Sequence, residues 1–256
     1  MVDIPMRSAG ALGRQNIMSI NQKKIQSAKS RNNILDINNQ AKQGNMQNSQ
    51  KNMNSPSSPP VQQQQTIPKI VVPEFFNIVR KGQKAALENS SKLSKIEACL
   101  GWNIKNSACD VDVSAFLLSG NKVINDDWFV FYGHPQSPDG STEFYEGKNP
   151  DRECVSIDFG KLNASVEKIV FVLTINEALE KHLNFSMIQD AYIRIFDSST
   201  KTELVSFLMD EYYENVTSMM IGELYKHNGA WKFNAVGNGV ARDLAGLCEL
   251  YGVQVD

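Results

Sequence analysis

Two aspartates and a serine alternate with valines in one apolar stretch of the chain. Asp110, Asp112 and Ser114 are separated by Val111 and Val113. In a β-strand, residues i and i+2 project from the same face, so the oxygen-bearing side chains share one side and the valines face the core. The carboxylates then lie about 7 Å apart and repel each other unless a cation or solvent intervenes. Ca²⁺ suits this arrangement, because it accepts about six to eight oxygen ligands in a flexible shell.

More oxygen donors follow between residues 137 and 153. Side-chain oxygens are offered there by Asp139, Asn149, Asp151 and Glu153. Together with Asp110 and Asp112 they form the predicted metal site, and Ca²⁺ is the predicted cofactor. The pattern is not an EF-hand, since Ala115 stands where that loop requires glycine.

Short apolar segments with period-two alternation position these residues. The predicted strands are 76–80, 95–102, 111–118, 129–132, 143–144, 154–159, 168–174, 190–197, 203–208, 218–226 and 231–235. Turn residues separate them, such as Asn228-Gly229, which favours a tight hairpin. Many short strands at near-regular spacing predict a mainly all-β fold, an antiparallel β-sandwich of two sheets. Short helices are predicted at 176–183 and 241–251, and a tight turn within 237–242 leads into the second of them.

The composition of the chain changes near residue 74. Phe, Tyr and Trp are absent before Phe75, so the side chains for a close-packed core lie in the remainder. The first 74 residues are instead rich in Asn, Gln, Ser and Pro, and they cannot bury enough apolar surface to offset the entropy of ordering. We therefore predict a disordered tail at 1–74 and one domain at 75–256.

Charge divides the same way. Residues 1–74 carry nine Lys/Arg against three Asp/Glu, and residues 75–256 carry 17 against 25. The basic tail can recruit an anionic partner or simply keep itself soluble, and we expect no specific nucleic-acid binding. No apolar run reaches the ~20 residues of a membrane span, and the first residues lack a signal-peptide layout. We expect a cytoplasmic protein that can associate peripherally with a membrane.

The sequence shows no catalytic constellation. The three histidines are far apart and accompany no Ser or Cys nucleophile in a known pattern. The four cysteines lack C-x-x-C spacing, so we expect buried apolar side chains rather than a zinc site or a disulfide framework. Glu223 lies in a predicted apolar strand and is expected to pair with Arg194 or Lys232. We predict no enzymatic activity.

Several blocks of the sequence occur in the order found in a known family. They are Leu100-Gly101-Trp102, Asp110 to Leu118, Asp127 to Tyr132, Ser137 to Ser141, Lys168 to Phe171, Gly222 to Tyr225 and Trp231 to Gly237. Together they resemble the TerD family over about residues 75–256. The resemblance implies a two-sheet sandwich that binds Ca²⁺ at one edge, without established catalysis. It also implies roles in tellurite resistance and the stress response as a cytoplasmic or membrane-proximal scaffold.

The chain departs from this family in its acidic loop. The segment 147–153 is shorter than the family's loop, with Lys148 and Arg152 in the places of two acids, and Asn103 replaces the aspartate that commonly follows the Leu-Gly-Trp block. One weakened Ca²⁺ site is the leading hypothesis. In the alternatives, Lys148 or Arg152 neutralises the strand aspartates, or the acids are simply solvated. The predicted function is a non-enzymatic Ca²⁺-binding stress-response scaffold with an unknown protein partner; the alternative is a metal-independent scaffold of the same fold.

Overall fold

The computed structural model of the chain describes residues 67, 69–87 and 93–255. The strands of this part are β1 (Ile78–Val79), β2 (Lys84–Ala86), β3 (Lys95–Ile104), β4 (Val111–Ser119), β5 (Lys122–Val123), β6 (Phe129–Phe131), β7 (Thr142–Glu146), β8 (Glu153–Asp158), β9 (Lys168–Ile175), β10 (Ile188–Asp197), β11 (Glu203–Leu208), β12 (Ser218–His227) and β13 (Ala230–Val240). The helical elements are α1 (Leu244–Tyr251) and two 3-10 turns, Asp126–Trp128 and Phe185–Met187. Most of the predicted tail lies outside the described residues.

The strands form two sheets. Sheet I has the order β1-β11-β10-β3-β8-β7, and sheet II has the order β2-β13-β12-β9-β4-β5, with β6 also paired to β4. Neighbours are antiparallel except β1 and β11, which are parallel. The all-β prediction is therefore confirmed. Each of the predicted strands is present with ends within two residues of the prediction, except that β13 continues five residues further, to Val240. β2 and β5 are additional short strands at the edges of sheet II.

One apolar core lies between the sheets. Leu100 and Ile193 of sheet I and Phe171 and Phe233 of sheet II belong to it, and all are fully buried. Ile193 and Phe233 alternate with polar neighbours in the period-two pattern that predicted the strands, whereas Phe171 lies in a strand that is apolar on both faces. Every residue of β4 except Ser119 is buried, polar ones included. The start of β4, where the acidic side chains lie, is therefore withdrawn from solvent.

The predicted hairpin turns are confirmed. Asn228 and Gly229 join β12 to β13 as a two-residue loop, and both have positive φ, 52° and 78°. A turn of this kind matches the twist of the two strands that it joins. Gly140 closes the turn that begins at Ser137, since its amide donates to the Ser137 carbonyl at 2.9 Å.

The helix predicted at 176–183 is wrong. These residues form successive turns after β9, and both Glu177 and His182 have φ of 52°. A left-handed residue interrupts a right-handed helix, so the apolar spacing of this segment serves turn packing instead. The helix predicted at 241–251 is shorter than expected and begins after the cap Asp243, whose carboxylate accepts from the Gly246 amide at 2.8 Å.

The tight turn predicted within 237–242 is not formed by its glycines, Gly237 and Gly239. These residues lie within β13, and the register between β12 and β13 shifts there, between Met220 and Gly222. Gly237 has φ of 56°, a value that suits the irregular backbone of a β-bulge. The glycines that suggested a turn therefore bend a continuous strand.

Candidate functional site

The acidic side chains meet where the two sheets approach each other. Glu153 is the first residue of β8 in sheet I, and Asp112 is the second residue of β4 in sheet II. Both are buried, at 7% and 6% exposure. Asp110 immediately precedes β4 and is half-buried. These three residues are called the acidic cluster below.

Glu153 connects the two sheets through the backbone. Its Oε2 accepts a hydrogen bond from the Val113 amide at 2.7 Å. The pairing of β6 with β4 covers only Ser114 to Phe116, so the Val113 amide can bond to Glu153 instead of to a neighbouring strand. Glu153 is opposite the core residue Leu100 in the β3–β8 register, which places it on the inner face of sheet I.

Tyr132 shows how close the three acids lie. It follows β6, and burial raises the pKa of its phenol, as do the nearby charges of Asp112, Asp110 and Glu153. Each negative charge disfavours the phenolate. The same three carboxylates therefore lie near enough to one phenol to act on it electrostatically.

Two residues near the cluster were missed by sequence reasoning. Tyr132 was assigned only to a strand, and Asn176 only to the wrongly predicted helix. The backbone amide of Asn176 donates to the backbone carbonyl of Asp110 at 2.8 Å. Because β9 is antiparallel to β4, with Ile175 opposite Val111, the residue after β9 must lie beside the residue before β4. Knowledge of strand pairing would have found Asn176.

Asp151 is held by an arginine rather than by the cluster. Arg194 of β10 donates from Nη2 to Oδ2 at 2.7 Å and from Nε to Oδ1 at 3.2 Å. Tyr192 adds a hydroxyl donor to Oδ1 at 3.1 Å. Both side chains of the ion pair are only 12% exposed. A bidentate pair of this kind is strong and directional, so Asp151 has its charge balanced within the protein.

Gly101 makes room for this arrangement. A Cβ at Gly101 would collide with the Tyr192 ring, and Tyr192 is the residue opposite Gly101 in the β3–β10 register. The glycine of the Leu-Gly-Trp block thus lets the Tyr192 ring lie flat over β3 and bring its hydroxyl to Asp151 and to the Pro150 carbonyl.

The two basic residues of the loop behave differently from the ion-pair hypothesis. Arg152 donates from Nε to the Trp102 carbonyl at 2.6 Å, and its guanidinium lies 5.6 Å from the centre of the Trp102 ring. Burial lowers the pKa of Arg152, opposed by the charges of Tyr192 and Glu153. Lys148 is exposed. The contacts that Arg152 makes with Trp102 direct it toward β3, not toward Asp110 and Asp112.

Asp139 lies at the opposite end of β8 from Glu153. The amide of Asp158, at the last position of β8, donates to Ser141, which places the Asp139 turn roughly 13 Å or more along the strand from Glu153. Burial would raise the Asp139 pKa, but hydrogen bonds from Ser137, Ser141 and Asn163 outweigh it and lower the pKa. Asp139 therefore organises its own loop.

Asn149 is exposed in the β7–β8 loop, and no described contact brings it to the acidic cluster. The predicted ligands therefore divide into two groups. Asp110, Asp112 and Glu153 come together, whereas Asp139, Asn149 and Asp151 are placed elsewhere.

Asn103 has a specific partner that explains why it is an amide. Its Oδ1 accepts from the Ile70 amide at 2.8 Å, and its Nδ2 donates to the Ile70 carbonyl at 3.1 Å and to Asp190 at 2.9 Å. The side chain is 2% exposed. An aspartate at this position could not donate. The amide thus ties the segment before β1 to sheet I.

The oxygen donors of the cluster are of the hard type that Ca²⁺ prefers. Within the described residues, however, no three His, Cys, Asp or Glu side chains are arranged as a metal-binding group. A cation at the cluster would need backbone carbonyls, Tyr132, Asn176 or water to complete its shell. Also within the described part of the chain, no helix is long and apolar enough to cross a membrane.

The four cysteines and Glu223 lie outside the acidic cluster. All four cysteines are buried, as predicted. The expected partners of Glu223 were wrong, because its carboxylate accepts from Asn234 at 3.0 Å and lies 3.6 Å from Lys168, while Arg194 pairs with Asp151. Neighbouring strands, rather than sequence spacing, decided these pairs.

Known proteins match most of this domain. The tellurium resistance protein TerD of Serratia marcescens is 36% identical over 184 residues, which cover 68% of this chain and 95% of that protein. The general stress protein 16U of Bacillus subtilis (strain 168) is 35% identical over 187 residues, 68% of this chain and 96% of that protein. The uncharacterized protein YceE of the same strain is 36% identical over 187 residues, 68% and 97%.

A solved structure and a family profile cover the same region. The crystal structure of a telluride resistance protein (TerD) homologue from Streptomyces coelicolor A3(2) aligns with a TM-score of 0.48 at 15% identity, over 64% of this chain and 99% of that chain. The profile described as TerD domain matches residues 77–251. This chain therefore belongs to the TerD family, whose relatives include tellurium resistance and general stress proteins.

Proposed function

We propose that this protein is a non-enzymatic stress-response module that binds a single Ca²⁺ ion at the acidic cluster. The observation that carries the proposal is the burial of Asp112 and Glu153, which come from different sheets and lie beside Asp110 around one phenol. A cation there would join β4 of sheet II to β8 of sheet I.

Burial of like charges in the acidic cluster costs free energy. A carboxylate that leaves water must gain a proton, a hydrogen bond or a cation to offset its lost hydration. The Val113 amide supplies one hydrogen bond to Glu153, and a bound cation would add positive charge next to all three carboxylates. A divalent cation reverses the sign of their interaction, so that proximity becomes stabilising.

The size of the ligand set predicts the affinity. The cluster offers three acidic side chains, and the six-residue set predicted from the sequence is not gathered in one place. Because affinity for Ca²⁺ rises with the number of anionic ligands, we expect weak binding, with a Kd of about 10⁻⁴–10⁻³ M. Binding of this strength responds to changes in calcium concentration and does not need a permanently loaded site.

The names of the relatives support the stress context. Relatives at 35–36% identity are named for tellurium resistance and general stress. For this chain we propose a scaffold role, in which the calcium-linked sandwich presents a surface to a protein partner. A basic segment at 1–74 would add attraction to an acidic partner or membrane surface.

A second candidate is a scaffold of the same fold that works without metal. The arrangement of the loop favours it, because Arg194 balances Asp151 and Arg152 is bonded to Trp102. Backbone bonds also close the loop, from the Gly147 amide to the Arg152 carbonyl at 2.7 Å. These contacts hold the loop in place through protein groups.

Calcium titration of the full chain, by calorimetry and by thermal denaturation, separates the two candidates. At 10 mM Ca²⁺ we expect Tm to rise by roughly 3–10 °C. Asp112→Asn and Glu153→Gln should abolish this rise, whereas Asp139→Asn, a matched control at the other end of β8, should retain it. Absence of both heat and thermal shift in the wild-type protein would reject the calcium proposal and leave the metal-independent scaffold.

A further inference from the structure

Two cysteines face each other across neighbouring strands of sheet I. Cys99 of β3 and Cys154 of β8 are directly opposed in the register, and their sulfur atoms are 2.7 Å apart. Directly opposed residues of antiparallel strands have Cα atoms about 4.5 or 5.5 Å apart, and both values lie within the range for disulfides. The backbone alone thus places the two thiols in bonding geometry, without any movement of the strands.

The surroundings of this pair slow its oxidation. Cys99 and Cys154 are 6% and 3% exposed. The hydrogen bond between the two thiols and their burial both raise the pKa of Cys99, so the reactive thiolate is scarce at neutral pH. Arg194 is opposite Cys99 in the register, but its charge is committed to Asp151. The pair is therefore suited to slow oxidation under a sustained oxidant dose.

The pair is reached from the edge of the sheet. Tyr145 of β7 is opposite Cys154, and β7 is the edge strand of sheet I. Tyr145 is 36% exposed, so it is the outermost side chain of the row that contains both cysteines. Local opening of an edge strand costs less than global unfolding, and it would admit a small oxidant.

We infer that Cys99 and Cys154 form a dithiol that hydroperoxide oxidises slowly to an intramolecular disulfide. This inference is independent of calcium binding. In the first step, the sulfur of one thiol loses its proton and attacks a peroxide oxygen. The O–O bond breaks, one water leaves, and a sulfenic acid remains. The second sulfur then displaces the sulfenic oxygen as water while the S–S bond forms. Two thiols lose two electrons and two protons, and H₂O₂ becomes two waters.

The disulfide would clamp β8 to β3 beside the acidic cluster. Cys154 follows Glu153 directly and projects from the other face of the sheet. Cross-linking residues 55 positions apart restricts the unfolded chain considerably. The oxidised protein should therefore keep its fold and unfold at a higher temperature, with the end of β8 fixed to its neighbour.

The test is to treat the full chain with millimolar H₂O₂ and count thiols in denaturant with a chromogenic disulfide reagent. The count should fall from four to two, Tm should rise by roughly 5–10 °C, and dithiothreitol should reverse both. Mass spectrometry of a digest should find the Cys99–Cys154 peptide. Cys99→Ser should abolish the Tm rise, whereas Cys109→Ser, which also removes a buried thiol, should retain it.

Three results would overturn the inference. One is that four thiols persist after treatment. Another is that the cross-link joins other cysteines or two chains. The third is that the digest contains sulfinic or sulfonic acid at Cys99 or Cys154 in place of a disulfide. Peptide mapping of the wild-type protein needs no variant, so a misfolded Cys99→Ser protein would not obscure the answer.

Discussion

Asp151 and Glu153 are two residues apart, yet they have opposite environments. Asp151 lies in the loop and meets Arg194 and the Tyr192 hydroxyl, which together supply three donors. Glu153 begins β8 and accepts from the Val113 amide, and the charges that act with it on Tyr132 are those of two further acids. The Asp151 carboxylate forms a bidentate ion pair with Arg194, whereas the Glu153 carboxylate bonds to a backbone amide and acts on Tyr132 together with two other acids.

This difference shows that the acidic residues of one loop are not equally available to bind a metal ion. A carboxylate in a bidentate ion pair would have to give up that pair before it could bind a metal. A carboxylate among other acids would instead gain from a cation. The three predictions below test this contrast, from the largest expected effect to the smallest.

Removing the arginine should have the largest effect. Arg194→Met leaves the Asp151 carboxylate largely buried without its cation, so we expect the free energy of unfolding to fall by about 3 kcal/mol in denaturant titrations. The control is Lys201→Met, which removes the more exposed ion pair with Glu97 and should change stability by under about 0.5 kcal/mol. Equal effects of the two substitutions would contradict the assigned role of Arg194.

Replacing the acid by its amide should change the free energy of unfolding in opposite directions at Asp151 and at Glu153. Asp151→Asn weakens the pair with Arg194 and should lower the free energy of unfolding by about 2 kcal/mol. Glu153→Gln keeps an oxygen acceptor for the Val113 amide and removes one charge from the cluster, so without calcium it should raise stability by about 1 kcal/mol. Denaturant titrations in a chelator measure both. Two changes of the same sign would refute the contrast.

Substitution of Asp139 should have the smallest effect on stability, and this effect should depend most on pH. Asp139→Ala removes an acceptor of three hydrogen-bonded groups and should cost about 1 kcal/mol at pH 7. The pKa of Asp139 is lowered from 3.8 in the folded protein. Its stabilisation is therefore complete above the unfolded pKa and is lost as pH falls through the folded pKa. The difference in Tm between wild type and variant should stay constant from pH 7 to 5 and shrink below about pH 4; a constant difference at pH 3 would contradict this.

The fold was largely predictable because burial of one face imposes a period of two. The strand at 95–104 carries this pattern clearly, with apolar residues at every second position, and the hairpin turn at Asn228-Gly229 has its own chemistry. The segment 176–183 has apolar spacing without helical backbone, since Glu177 and His182 adopt positive φ. Gly237 was also misassigned from the sequence, because a bulge within a strand and a turn between strands both use glycine for its positive φ.

The site was predictable in part. Asp110 and Asp112 could be placed on one strand, since neighbours along a strand have a fixed geometry. The choice among Asp139, Asn149, Asp151 and Glu153 could not be made, because it depends on which strand each one meets. Of these four, Glu153 reaches the strand of Asp112, while Asp139 bonds to its own loop and to the Asn163 amide, and Asp151 meets β10. The opposition of Cys99 and Cys154, 55 residues apart, was likewise invisible in their spacing.

The sequence by itself determined the β-rich class, the positions of the strands, the tight turns and the resemblance to the TerD family, because these depend on local periodicity, on backbone preferences and on ordered motifs. The tertiary structure alone decided the partners of the charged and sulfur-bearing side chains. Pairing between strands depends on register over long sequence separations. A shift of one residue in β8 would exchange the faces from which Glu153 and Cys154 project. What each carboxylate in this domain can bind is therefore a property of the assembled sheets.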